Sequence, residues 1–157
     1  MIEKIAKILI DRNLTVATVE SCTGGLLSSV FTDVSGSSAF VHLNFVTYSN
    51  EAKERILGVK HETLEKDGAV SEQTSSEMAE GLFKVTGAYI CISTTGIAGP
   101  TGGSKEKPVG LMYSTIFINT KNFSKTYKIL LSPNTPRIEM KKMFVDEVLK
   151  NLHEILS

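Results

Sequence analysis

Thr15-Val16-Ala17-Thr18-Val19-Glu20-Ser21-Cys22-Thr23-Gly24-Gly25-Leu26-Leu27-Ser28-Ser29-Val30-Phe31 is the stretch whose reading decides the fold. Residues 15–19 are β-branched or small and carry no charge, as a short buried strand should. Leu26, Leu27, Val30 and Phe31 recur at helical spacing. Ser21-Cys22-Thr23-Gly24-Gly25 therefore sits at a strand-to-helix turn, the repeating joint of an α/β domain.

Upstream, Ile2, Ile5, Ala6 and Leu9 share one face, with Ile8 at its edge, which predicts an amphipathic helix over 2–12 ended by Asn13. Downstream, Gly36-Ser37-Ser38 breaks the chain and 40–48 reads as a second strand. Asn50 is the expected N-cap of a helix over 51–57 that Gly58 closes. A short helical piece spans 61–67. Ser71 caps a helix over 72–86 whose Met78, Ala79, Leu82 and Phe83 face inward. Residues 88–95 form a buried strand, followed by a loop over 96–108 rich in glycine and proline. Strands at 109–119 and 124–131 flank Asn122 and form a hairpin. The last helix, 136–156, carries the stripe Met140, Phe144, Val148, Leu152, Ile155. Early alternation of helix and strand, then two adjacent strands, predicts one domain over 1–157. The expected architecture is a three-layer α/β/α sandwich with a mixed, mainly parallel sheet.

Composition narrows the function. The 157 residues are 41% hydrophobic and 22% charged, a globular balance. Seventeen basic and seventeen acidic side chains cancel, so no basic excess points to nucleic acid. There is no long apolar run for a membrane and no signal peptide, which makes the cytoplasm the expected compartment. Cys22 and Cys91 lie far apart, and His42, His61 and His153 are scattered. No metal is expected, and free thiols are expected in that compartment.

Three features carry chemistry. A hydroxyl at the end of a buried strand is held rigidly, and the following helix start offers backbone N–H groups to an anion or alkoxide. Gly24 and Gly25 let a ligand approach the backbone. Read alone, Ser21 and Thr23 suit helix capping better than catalysis, and no Walker-type Gly-Lys-Ser/Thr ending is present. Lys53 falls in a first helical turn, where the macrodipole disfavours a cation; with desolvation this lowers its pKa and frees the amine as a base. Read alone, it is an ordinary surface lysine, but Tyr48-Ser49-Asn50 adds polar groups just before it. The 96–103 loop, with Gly96, Gly99, Gly102 and Gly103, follows a buried strand, at the carboxyl edge where α/β sheets bind ligands. Cys22 reads as a small buried hydrophobe.

These residues resemble a known family. Glu20-Ser21-Cys22-Thr23-Gly24-Gly25, Gly36-Ser37-Ser38, Val46-Thr47-Tyr48-Ser49-Asn50-Glu51-Ala52-Lys53 and Leu57-Gly58-Val59 occur in order. Gly68-Ala69-Val70-Ser71, Thr95-Gly96-Ile97-Ala98-Gly99-Pro100, Gly102-Gly103 and Lys107-Pro108-Val109-Gly110 follow. Over nearly its whole length the chain resembles the CinA C-terminal domain, the nicotinamide-nucleotide amidase family, in its stand-alone form. The resemblance implies hydrolysis of nicotinamide mononucleotide to nicotinate mononucleotide and ammonia, without a cofactor, in a homo-oligomer, a dimer above others. It implies Ser21 as nucleophile and Lys53 as base, with Tyr48, Ser49 and Thr95 in the pocket. Thr23, Gly24, Gly25, the 96–103 glycines and Arg137 are expected around the substrate, Arg137 toward its phosphate.

Two departures carry expectations of their own. Asn44 replaces a usual glycine and is expected to alter the pocket wall. Ser132-Pro133-Asn134-Thr135-Pro136-Arg137 needs a short insertion to bring Arg137 into place. Whether Ser21, Thr23 or an activated water attacks first stays open. So do two other readings, a non-catalytic binding module for a nucleotide or pyridine metabolite and an amidase for another small carboxamide.

Overall fold

A computed structural model describes residues 1–157. Five strands form one sheet in the order β2-β1-β3-β4-β5, with β1 Val16–Glu20, β2 Val41–Val46, β3 Ile90–Gly96, β4 Leu111–Ile118 and β5 Phe123–Leu130. β1 pairs in parallel with both β2 and β3, and the β3–β4 and β4–β5 pairs are antiparallel. The sheet is therefore mixed, with β4 alone running against the other four. The six helices are α1 Ile2–Asp11, α2 Leu26–Phe31, α3 Asn50–Leu57, α4 His61–Asp67, α5 Glu72–Thr86 and α6 Arg137–Leu156.

Alternation along the strands divides the interior in two. Val16, Ile90, Ile92, Met112 and Ile116 join Ile5, Leu9, Leu27, Phe31, Phe144 and Val148 in a core beneath α1, α2 and α6. Ala17, Val19 and Cys91 point to the opposite face and pack with Leu57, Leu64, Met78 and Leu82 of α3, α4 and α5. Strands covered on both faces read as unbroken apolar runs, which is why β1 and β3 were legible. The expected α6 stripe is buried at Met140, Phe144, Val148 and Leu152, joined by Val145, Leu149 and Leu156.

Two local expectations are corrected. Asn50 does not cap α3; Ser49 does, its hydroxyl accepting from the Ala52 amide at 3.0 Å, and Asn50 is the first helical residue. Both residue types suit the position, and the strand end at Val46 sets which is used. The Asn44 side chain is taken up by β1 and α2. The β1–β2 register slips between Val16 and Thr18, and the Asn44 side-chain oxygen accepts from the Thr18 amide and hydroxyl at 3.0 and 3.1 Å. Its Nδ2 donates to Ser28 Oγ at 2.8 Å, tying β2 to α2. A glycine there would leave those groups unanswered. Because β1, β2 and β3 run in parallel, their carboxyl ends gather the 21–25 turn, residues 47–49 and the loop after Gly96 along one edge.

Candidate active site

Lys53 is the unusual residue at that edge. It is 1% exposed and stands on the inner face of α3. Its Nζ lies 3.0 Å from Ser21 Oγ, 2.9 Å from the Thr47 carbonyl and 3.0 Å from the Tyr48 carbonyl. Neither Lys53 nor Arg137 takes part in any ion pair of the molecule. Burial pulls the Lys53 pKa from 10.5 down to about 8. Removal from water is the chief cause; with Ser49 as cap, Lys53 is the fourth helical residue.

Hydrogen-bond capacity then orders the protons. A carbonyl only accepts. A neutral amine has two N–H groups and one lone pair. With both N–H groups donated to Thr47 and Tyr48, the lone pair faces Ser21 Oγ. The Ser21 hydroxyl lies 3.3 Å from the Tyr48 carbonyl as well, so it has an acceptor whichever form Lys53 takes. Ser21 is 8% exposed, the one hydroxyl of its turn that touches both the base and the exterior.

Neither Ser21 nor Thr23 caps α2, as a reading of the turn alone favoured. Gly25, at φ +102°, is the N-cap and offers no side chain. The cap is Glu20, a fully buried carboxylate for which the sequence suggested no role. It accepts from the Leu27 and Ser28 amides at 2.8 and 3.0 Å and from the Thr23 hydroxyl at 2.6 Å. The signal was available: a helix opening on two glycines needs its cap from elsewhere, and Glu20 is the nearest acid. Thr23, fully buried, also meets Thr94 Oγ1 at 2.8 Å, so its hydroxyl is engaged inward. The amides of Cys22, Thr23 and Gly25 make no hydrogen bond within the chain.

The remaining expected residues divide. Arg137 reaches the site across its insertion, donating to the Gly99 carbonyl at 2.6 Å and the Tyr48 hydroxyl at 3.2 Å. It thereby joins α6, the glycine loop and the segment between β2 and α3. The Tyr48 ring itself is 60% exposed. Ser49 is engaged as the α3 cap, and the Thr95 hydroxyl donates to the Ala69 carbonyl at 2.7 Å, away from Ser21. Gly96 and Gly103 are glycines for packing: a Cβ at either would come within 2.7 Å of the Leu111 carbonyl or the Val109 amide. A Cβ at Gly99 would crowd the Val109 side chain, while Gly102, at φ +91°, has room for a Cβ in ordinary contact with Ile97 but a backbone that favours glycine. Cys22 is buried and its thiol is pushed up to about 12, first by burial and then by Glu20. No group of three or more metal-ligating side chains is assembled, and no helix is long and apolar enough to cross a membrane. A cavity of about 510 Å³ lined by Glu3, Ala6, Ile10 and Asp33 shares no residue with this site.

Fold and site together define an α/β protein with a buried serine–lysine pair at the carboxyl edge of a mixed sheet. The CinA C-terminal domain model matches residues 1–156, and the chain belongs to that family. A CinA-like protein of Chloroherpeton thalassium is 45% identical over 155 residues, covering 99% of this chain and 37% of that protein. The chain spans about a third of the length of the curated relatives it matches. Among solved structures, the competence/damage inducible protein CihA of Agrobacterium tumefaciens superposes with a TM-score of 0.91 at 39% identity, covering 97% of this chain and 93% of its own. A competence or damage-inducible protein of Enterobacter asburiae gives 0.93 at 36% identity, with 99% and 96% covered.

Proposed function

We propose that the chain is a nicotinamide-nucleotide amidase that converts nicotinamide mononucleotide to nicotinate mononucleotide and ammonia. The observation that carries this reading is the 3.0 Å contact between the buried Lys53 amine and Ser21 Oγ, with carbonyls as the amine's other partners. Neutral Lys53 takes the Ser21 proton as Oγ attacks the carboxamide carbon. The free amides of the 21–25 turn, those of Cys22 and Gly25, receive the oxyanion. Protonated Lys53 returns the proton to the departing nitrogen, ammonia leaves, and water then cleaves the acyl-serine, giving the acid and free Ser21. Arg137, which donates to the Gly99 carbonyl and the Tyr48 hydroxyl, would meet the nucleotide's phosphate together with the 96–103 loop. Thr95 shapes this pocket from behind, and a second copy of the chain completes the working dimer.

Substrate class is tested by ammonia release from nicotinamide mononucleotide, nicotinamide, its riboside and glutamine. The mononucleotide should be preferred, and Lys53→Met should lose at least about 100-fold in turnover. Tight binding of the mononucleotide without ammonia release would instead make the chain a binding module. Preference for another carboxamide would move the substrate.

A further inference from the structure

Glu20 stands directly before Ser21 and is fully buried, yet it touches no substrate-facing surface. Its two oxygens carry three hydrogen bonds, from Thr23 Oγ1 and the Leu27 amide to Oε1 and from the Ser28 amide to Oε2. Thr23 Oγ1, whose proton goes to Glu20, accepts in turn from Thr94 Oγ1 at 2.8 Å. The Glu20 carbonyl also receives the Thr47 amide at 2.9 Å, and the Ser21 amide donates to the Thr94 carbonyl at 3.1 Å. One carboxylate thus ties the end of β1, the 21–25 turn and the start of α2 into one unit.

A helix start must have its N–H groups answered, and a hydroxyl oxygen in the preceding turn is the usual acceptor. Here the nearest hydroxyls are Ser21 and Thr23. Because Glu20 takes the α2 amides itself, Ser21 remains turned to Lys53, and the Cys22 and Gly25 amides remain free. We infer that Glu20 is a positioning residue for the nucleophile: it caps α2 in place of Ser21, and Thr94 supports it through Thr23. This rests on the serine–lysine reading of the site.

Glu20→Gln is the nearest isostere. An amide has one acceptor oxygen, so at least one of the three donors must face an NH₂ group, and the turn hydroxyls become competing caps. The probe is a small alkyl fluorophosphonate, which phosphorylates serine nucleophiles without needing a pyridine nucleotide site; Ser21 labelling is followed by intact mass. Glu20→Gln, at equal folded concentration, should label about 100-fold more slowly than wild type, as a misplaced nucleophile does. On the mononucleotide, kcat should fall and KM should stay within about twofold, while the rising pH limb near 8 keeps its place because Lys53 stays buried against the Thr47 and Tyr48 carbonyls. Thr94→Val keeps the volume but removes the supporting O–H, and should label about tenfold more slowly. It serves if Glu20→Gln does not fold. Wild-type labelling rates in both variants would overturn the inference and leave Ser21 as nucleophile. A wild type that never labels at Ser21 would overturn the nucleophile and this inference with it. Labelling of the wild type without turnover of any carboxamide would overturn the amidase reading alone.

Discussion

At the scale of the residue, Lys53 sets the pH behaviour. Its pKa near 8 leaves about a tenth of the molecules with a neutral amine at pH 7. kcat/KM should therefore climb through pH 8 and level off above it, a limb absent from any residual activity of Lys53→Met. Stability carries the opposite signature to a salt-bridged lysine. Between about 8 and 10.5 the unfolded chain holds a proton on this residue that the folded chain has released. The Lys53 contribution to stability thus rises with pH across that window and is flat below it. Melting midpoints of wild type minus Lys53→Met, taken from pH 7 to 10.5, should rise; a difference that falls would contradict burial as the cause. The thiols give a second check. Cys22 and Cys91 are both buried, with pKa values raised to about 12 and about 11, mainly by desolvation. The native protein should consume no aromatic disulfide reagent at pH 8, and the unfolded protein should consume two equivalents.

At the scale of the element, caps and close approaches matter more than propensity. Ser71 begins α5 by accepting from the Thr74 amide at 3.1 Å and donating to the Gly68 carbonyl at 3.0 Å. Ser71→Ala should cost about 1 kcal/mol in denaturant unfolding. Gly81, in the middle of α5, decides between two opposed effects. Helix propensity alone favours Ala there by about 1 kcal/mol. A Cβ at that position, however, would run into the Leu57 carbonyl, where α3 ends. Gly81→Ala should therefore destabilise, by about 1–3 kcal/mol, and push α3 with Lys53 away from Ser21. Denaturant unfolding and ammonia release read the two effects separately. The sequence announced α5 and its cap to the residue, because Ser71 and the spacing of Met78, Ala79 and Leu82 agree. It did not announce why Gly81 is glycine, since that reason lies on another helix. The α3 cap was misplaced by one residue because Ser49 and Asn50 are equally good caps and only the end of β2 separates them.

At the scale of the whole molecule, two cores hold one sheet between helical layers, and the site lies where the parallel strand ends meet. Phe144, fully buried on the inner face of α6, anchors the larger core, and Phe144→Ala should cost about 3–5 kcal/mol. The strand ends were legible from apolar runs that stop at polar residues, which brought Ser21 and Lys53 under suspicion together. Their partners were not legible, because they are backbone groups: the Thr47 and Tyr48 carbonyls have no signature in side-chain type. Glu20 was legible only as the acid nearest a helix that opens on two glycines, and the Leu27 and Ser28 amides that meet it are backbone groups as well. Arg137 was named by the resemblance, but its partners, the Gly99 carbonyl and the Tyr48 hydroxyl, are visible only in the structure. The pair at the centre is Ser21 and the buried Lys53, in contact at 3.0 Å. The direct measurement is ammonia release from nicotinamide mononucleotide at pH 8.5 by wild type and Ser21→Ala at equal folded concentration. Wild type should turn over and Ser21→Ala should retain less than about a thousandth of its rate; undiminished release by the folded variant would contradict the serine–lysine centre.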